Sequence, residues 1–347
     1  MSAEDTEQPA PPAAAQGDDY RPRLRHAAFR FTSPDAPIQM IVGKEYFEIA
    51  EVLGTREEFF EVKRYLDGRH TLTQIAERSG VDEDSVRQVV AAFSEIGLLH
   101  RAEPFVTIPA KEFAAQVEAS CEMWGRQVGY HRLFSGLDKG EYRAEVFLGL
   151  VLETYHYVRS APKHIATAIA HCDDERLVPL LSKYFTEEWN HAGMMRLALK
   201  RMGMPKSHIE TANPTIGTWS LVNNLCEIAR QDTLSYLACT SLFEARADDF
   251  DAAAESLRRA ARLVGFAEDC AEPLITHMRV DLEAGHVGLL EESVEVLGDI
   301  PEAHVHRAVN NLHNLKHSYD QFHDHVVQYY TDIANHLPRL KVDYFSL

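Results

Sequence analysis

The sequence is poor in cysteine, and the cysteines that it has are widely separated. No two of them form a CxxC or a similar close pair. This scatter argues against a disulfide framework and against a zinc ion or iron–sulfur cluster bound by thiolates. We expect uncharged thiols that pack as small hydrophobic side chains. The five positions are Cys121, Cys172, Cys226, Cys239 and Cys270.

Positive charge is also scarce. The chain has 35 Lys and Arg against 53 Asp and Glu, which gives a formal net charge of -18. Affinity for nucleic acids and for anionic membranes comes largely from basic side chains near phosphates. We therefore expect neither nucleic acid nor membrane as a partner.

Long apolar runs are missing as well. No run reaches the roughly 18–20 residues that a bilayer-spanning helix needs. The N-terminal segment MSAEDTEQPAPPAAAQGDD lacks the basic start and the apolar stretch of a secretory signal. Its Ala, Pro, Gln and acidic residues predict a disordered tail over residues 1–28. The same absence of a signal predicts a cytoplasmic protein.

Residues 29–105 have the pattern of a small α+β domain. The segment IQMIVGKEYFEIAEVLG predicts short strands, and EEFFEVKRYLDG predicts a helix that ends near Gly68. Two further helices, capped by Thr71 and Asp82, flank a turn at Ser79-Gly80. Two helices around a glycine turn, followed by a strand, are the outline of a winged-helix domain.

Residues 106–347 have a helical pattern almost throughout, interrupted by Pro and Gly. The pattern predicts long helices over 174–202, 217–247 and 270–297, among others. We therefore predict a mainly α protein, in which a bundle of seven or eight helices follows the small domain.

Four segments of this bundle carry acids or histidines inside apolar stretches, where helices normally face a core. The first three are VFLGLVLETYHYV, with Glu153; YFTEEWNHAGMM, with an ExxH motif; and LACTSLFEARADDF, with Glu244. The fourth is PLITHMRVDLEAGHVGLL, which offers several acids and histidines. A single ExxH arises often by chance. The ordered series matches the way in which four antiparallel helices supply two metal ions.

Electrostatics supports the same interpretation. Two carboxylates 4 Å apart repel by about 4 kcal/mol at an effective dielectric constant near 20. Several of them in a core therefore require protons or cations. Mixed oxygen and imidazole ligands suit iron or manganese.

The last segment leaves two arrangements open. His277 and Asp281 are four residues apart and share a helix face, whereas Asp281 and His286 meet on one side only through a π-bulge. Glu283 and His286 are three apart and would share a different face. If they form the pair, the series becomes E, ExxH, E, ExxH, which is the ferritin-like pattern.

The bundle resembles the haem-oxygenase-like di-iron oxidases, relatives by fold of the PqqC and TenA proteins. The resemblance spans about residues 109–335 and rests on ETYHYVRSAP, EEWNHAGMM, the single acid Glu244 and HMRVDLEAGH. The family pattern usually has a histidine three or four residues after the aspartate, where this chain has Ala284 and Gly285. By this likeness the metal ligands would be Glu153, Glu188, His191, Glu244, Asp281 and His286, with His277 a further candidate.

The resemblance implies a haem-oxygenase-like fold with two iron ions, or manganese, and O2 as co-substrate. It also implies an external electron donor, a homodimer and a small amine or amino-acid substrate in specialised (natural-product) metabolism. The expected reactions are N-oxygenation, desaturation or carbon–carbon cleavage.

The N-terminal module resembles the small PqqD-like domains over LDGRHTLTQIAERSGVDEDSVRQVVAAFSEIGLL. This likeness implies a peptide or carrier partner. Three rival functions therefore stand beside the di-iron oxygenase: a peptide-modifying oxygenase that holds a leader peptide, a metal-free PqqC-like oxidase, and a non-catalytic ferritin-like metal-binding protein.

Overall fold

The computed structural model describes residues 19–30, 37–42, 45–49, 55–100, 107–243, 250–284 and 288–341. The chain divides into two compact units, Met1–Pro104 and Phe105–Leu347. In the first unit, three antiparallel strands in the order β1-β2-β3 precede three helices. These elements are β1 (Ala28–Arg30), β2 (Ile38–Val42), β3 (Glu45–Ile49), α1 (Arg56–Arg64), α2 (Leu72–Ser79) and α3 (Glu83–Glu95).

Local capping explains where the helices of this unit begin. The side chain of Thr71 accepts a hydrogen bond from the backbone N–H of Gln74, and Gln74 caps Thr71 in return. Asp82 accepts from the N–H of Ser85. Gly80 ends α2 with a φ of 72°, a conformation that costs glycine little. The predicted strands and the helices capped by Thr71 and Asp82 are confirmed.

The order of these elements differs from a winged helix. The hairpin of β2 and β3 precedes the helices, whereas the predicted outline places its strand after them. After α3, Leu99 forms an isolated bridge with Leu24 rather than a strand. The PqqD-like winged-helix assignment is therefore not confirmed and remains a prediction.

The disordered tail is shorter than predicted. The N–H of Leu24 donates to the carbonyl of Leu66, and the N–H of Arg25 donates to that of Leu98. Tyr20, Leu24 and Ala27 pack against the core of the small unit. The prediction is thus wrong for residues 19–28, because a few apolar side chains outweigh the polar composition there. Residues 1–18 lie outside the described residues.

The second unit is helical, as predicted, but its helices are shorter and more numerous than seven or eight. A two-stranded pair, β4 (Thr107–Ile108) and β5 (Ile300–Pro301), joins its ends. No helix of the described part is long and apolar enough to cross a membrane. The described helices are α4 (Ala110–Gly129), α5 (Arg132–Asp138), α6 (Ala144–Arg159), α7 (Ala161–Ala170), α8 (Val178–Glu188), α9 (Ala192–Arg201), α10 (Lys206–Thr211), α11 (Ile216–Gln231), α12 (Thr233–Phe243), α13 (Phe250–Leu263), α14 (Glu272–Ala284), α15 (Leu289–Val294) and α16 (Glu302–Thr331).

Polar caps break the helices that the sequence predicts as continuous. Asp232 has extended backbone dihedrals and separates α11 from α12. Its carboxylate accepts hydrogen bonds from the N–H and the hydroxyl of Ser235. A side chain that caps the next helix in this way competes with continuation of the previous one.

The long helix α16 packs against α6, α11 and α12. Two glycines permit this close approach. A methyl group at Gly149 in α6 would overlap the ring of Tyr330, and one at Gly217 in α11 would meet the side chain of His325. The absence of a side chain at these two positions therefore sets the distance between α16 and its neighbours.

We expect Gly149→Ala to destabilise the protein by about 1–3 kcal/mol, because the added methyl overpacks the contact with Tyr330. Chemical denaturation followed by far-UV circular dichroism would measure the change. Gly125 in α4 is the matched control, because a methyl there meets open space. Gly125→Ala should stabilise by about 0.5–1 kcal/mol. Equal effects of the two substitutions would contradict this account.

Candidate metal centre

The ExxH motif lies at a break between two helices. Helix α8 ends at Glu188, and α9 begins at Ala192. Trp189 and His191 keep helical dihedrals, but the N–H of His191 bonds to the carbonyl of Glu188, only three residues back. A tight turn of this kind brings residues three apart directly above one another. The Nδ1 atom of His191 accordingly lies 3.2 Å from Oε1 of Glu188.

Helix α14, which packs against α9, brings a histidine and a carboxylate to the same place. Oδ2 of Asp281 lies 2.8 Å from Nδ1 of His277, one helical turn away. Its other oxygen lies 3.2 Å from Nδ1 of His191. Glu188 and His191 are each 6% exposed, and Asp281 is 4% exposed. Four polar side chains from two segments therefore meet inside the unit.

Positive charge on His191 stabilises the two carboxylates. Burial alone would lower the pKa of His191, but contacts with Asp281 and Glu188 outweigh it and raise the pKa to about 9. Burial would raise the pKa of Asp281, but His191 and His277 lower it to about 2. His191 is thus protonated at neutral pH. Because imidazole binds metals in its neutral form, a metal ion would have to displace this proton.

The residues fit a metal ion. Ligand atoms of Glu188, His191 and His277 lie within 4.8 Å of one another. Nε2 of His277 is buried and, within the described ranges, has no hydrogen-bond partner. Carboxylate oxygens with imidazole nitrogens are a donor set that iron and manganese accept.

The structure decides between Asp281 and Glu283. Asp281 is buried against the histidines, whereas Glu283 is exposed. The E, ExxH, E, ExxH alternative requires Glu283 inside the bundle and is therefore wrong. The predicted ligands Glu244 and His286 lie outside the described residues.

Glu153 is fully buried, as expected for a functional carboxylate, but its contacts are of another kind. Its Oε2 accepts hydrogen bonds from the backbone N–H of Thr215, at 3.0 Å, and from the hydroxyl of Thr218. Its Oε1 accepts from the hydroxyl of Tyr330 at 2.7 Å. Burial raises the pKa of Glu153, and these hydrogen bonds oppose the rise. Its contacts tie α6 to the start of α11 and to α16, and do not support its prediction as a ligand.

Two features of the interior were missed by sequence reasoning. Thr215 caps α11 and bonds to Glu153, and a threonine after Pro214 before an apolar helix is a readable cap signal. His164 is buried and shares a 2.8 Å hydrogen bond with the hydroxyl of Tyr236. Burial lowers the pKa of His164 to about 4, although the charge of Glu188 acts in the opposite direction. No sequence signal marks this histidine.

Comparison with known proteins agrees with this architecture. Residues 118–247 match the model of the TENA/THI-4/PQQC family. They form a TENA/THI-4/PQQC domain. This segment contains Glu153, Glu188 and His191, whereas His277 and Asp281 follow it in the chain.

Solved structures place this domain in the haem-oxygenase-like fold. A domain of unknown function with that fold from Shewanella denitrificans is 15% identical, with a TM-score of 0.50, over 64% of this chain and 93% of its own. A TenA homologue from Pseudomonas syringae is 13% identical, with a TM-score of 0.48, over 65% and 100% of the two chains. One from Pyrococcus furiosus is 16% identical, with a TM-score of 0.45, over 62% and 99%. The predicted haem-oxygenase-like fold is confirmed.

A comparison with curated proteins gave no match. The family and the fold leave the reaction open, so the chemistry has to be inferred from the side chains themselves.

We expect Asp281→Asn to lower the pKa of His191 by at least about one unit from its value of about 9, because the substitution removes one of the two negative charges that stabilise the imidazolium. An NMR titration of the histidine ring protons, on protein treated with a chelator, would measure it. The exposed Glu283 provides the control, since Glu283→Gln should leave this pKa unchanged. A larger effect of Glu283→Gln would refute the assignment.

Proposed function

We propose that the protein is an O2-dependent non-haem di-iron oxidase or oxygenase. Its substrate would be a small amine or amino-acid-like molecule of specialised metabolism, changed by N-oxygenation, desaturation or carbon–carbon cleavage. The observation that carries the proposal is the convergence of Glu188, His191, His277 and Asp281 in the interior of the TENA/THI-4/PQQC-containing unit. Structural residues rarely gather two buried carboxylates around one imidazole without a purpose of this kind.

In this proposal, Glu188, His191, His277 and Asp281 would hold metal, together with Glu244 and His286. Iron would supply the one-electron chemistry through which O2 reacts, and manganese is the alternative. The protein residues orient the ligands and exclude water, because every described ligand oxygen is buried. The proton on His191 leaves when the imidazole becomes a ligand, which balances part of the charge that the metal brings.

The remaining partners belong to the same proposal. An oxygenase of this class needs an external electron donor, and we place it in the cytoplasm as a homodimer. The N-terminal unit, which has its own apolar core, would bind a peptide or carrier partner. If that partner is the substrate, the protein is a peptide-modifying oxygenase.

One observation favours a second candidate, a metal-free PqqC-like oxidase. The imidazolium of His191 already lies between Glu188 and Asp281, so the cluster is largely neutralised without a metal ion. Such an enzyme would use the cluster to bind substrate and to move protons. Metal analysis of the purified protein separates the two candidates.

Anaerobic titration with Fe(II) tests the proposal. We expect two iron ions per chain, and consumption of O2 with a transient visible absorption when oxygen is admitted. His191→Ala should remove at least one iron, because it deletes a donor nitrogen from the centre of the cluster. Iron analysis after desalting would measure the stoichiometry.

The control is the exposed histidine of α10, since His208→Ala should keep both irons. Wild-type protein that binds no iron or manganese would overturn the proposal in favour of the metal-free oxidase. Iron-loaded protein that consumes no O2 with any reductant would leave a non-catalytic metal-binding role.

A further inference from the structure

An open groove lies between α7 and α8, on the outside of the helical unit. It has a volume of about 520 Å³. Side chains from successive turns of both helices line it, so it follows the two helix axes. The lining residues are Arg159, Pro162, Lys163, Ala166, Phe185 and Trp189.

The groove is positive in a strongly negative protein. Arg159 and Lys163 line it, and no acidic residue does, although the chain carries a net charge of -18. Among the described residues, neither cation is paired with a carboxylate. Each instead lies over an aromatic ring: Arg159 over Tyr155 at 5.9 Å and Lys163 over Trp219 at 5.5 Å. A ring fixes the position of a cation without neutralising its charge.

The groove also presents exposed aromatic surface. Trp189 is 60% exposed and contacts Phe185 with ring centroids 5.5 Å apart. On α11, Trp219 is 38% exposed beside Lys163. Tryptophan and arginine are the residues that most often dominate the binding energy of protein interfaces. An aromatic centre flanked by two cations is thus suited to an acidic protein with an apolar contact area.

Trp189 connects this surface to the buried cluster. It directly follows Glu188 and precedes His191 by two residues, in the break between α8 and α9. Both neighbours are 6% exposed, so the chain passes from the interior to the groove and back within four residues. The groove is therefore joined to two of the proposed ligands by a few covalent bonds.

We propose that this groove is the docking surface for an acidic one-electron carrier protein of the small iron–sulfur class. The proposal rests on the proposed function, which needs electrons from outside. Insertion of one oxygen atom from O2 into a substrate reduces the other atom to water, and draws two electrons and two protons beyond those of the substrate. Two reduced carriers supply one electron each and leave oxidised, while the protons come from solvent.

The small size and the openness of the groove agree with such a partner. Transient redox complexes bury little area, often under about 1,200 Å², and depend on charge for their association rate. A small anionic substrate would instead need an enclosed pocket, which typically covers most of the ligand surface. The groove is open to solvent along its length, and its aromatic side chains face outward.

Titration of the full-length protein with an oxidised plant-type [2Fe–2S] ferredoxin, followed by calorimetry, tests the proposal. We expect measurable binding at about 20 mM salt that weakens strongly at about 200 mM. The double variant Arg159→Glu/Lys163→Glu should weaken binding about tenfold or more, because it reverses both charges of the groove. Trp189→Ala should weaken binding while leaving its salt dependence unchanged.

The control is a double variant with the same change in net charge, Lys139→Glu/Arg307→Glu, at exposed positions that do not line the groove. It should bind the ferredoxin within about twofold of the wild type. Equal weakening by both double variants, or no binding by the wild type, would overturn the proposal. Displacement of the ferredoxin by inorganic phosphate or glutamate at matched ionic strength would also overturn it, and would assign the groove to a small anion.

The binding measurement separates this proposal from the proposed function. Two irons per chain, together with ferredoxin binding that ignores Arg159 and Lys163, would overturn the docking surface alone. Ferredoxin binding that depends on the groove, in a protein that takes up no iron, would support the surface and overturn the di-iron assignment.

Discussion

The interior of the helical unit depends on one electrostatic constraint, which is that buried carboxylates need partners. Glu188 and Asp281 lie on different helices and are almost inaccessible to water. A buried, unpaired carboxylate costs several kcal/mol. His191, between them, supplies the compensating positive charge. The tight turn after α8 and the approach of α14 both follow from the need to bring these three side chains together.

Glu153 satisfies the same constraint by other means. Its partners are a backbone N–H at the start of α11 and the hydroxyls of Thr218 and Tyr330. The start of a helix carries partial positive charge and free N–H groups, so it stabilises an acid without a cation. Two buried acids of similar sequence context thus differ in chemistry. One belongs to a cluster that can exchange a proton for a metal, and the other holds three helices together.

This difference marks the limit of the sequence analysis. The apolar runs around Glu153 and the ExxH spacing show which acids are buried, because burial follows from helical periodicity. They do not show what each acid meets, because Thr215 and Tyr330 lie far away in sequence. The choice between Asp281 and Glu283 likewise depended on the direction in which α14 turns its face. His277 and Asp281, four residues apart, were the pair that a regular helix brings together.

The helix boundaries failed for a related reason. Periodicity predicts a continuous helix over 174–202, since the apolar positions keep their spacing through Trp189. The chain nevertheless breaks there, and the break serves two surfaces at once. It aligns Glu188 with His191 inside, and it turns the indole of Trp189 outward beside Arg159 and Lys163. In an uninterrupted α-helix, positions 188 and 191 would be offset by about 60° around the axis rather than eclipsed. The local departure from regular structure is what makes both the inner cluster and the outer groove possible.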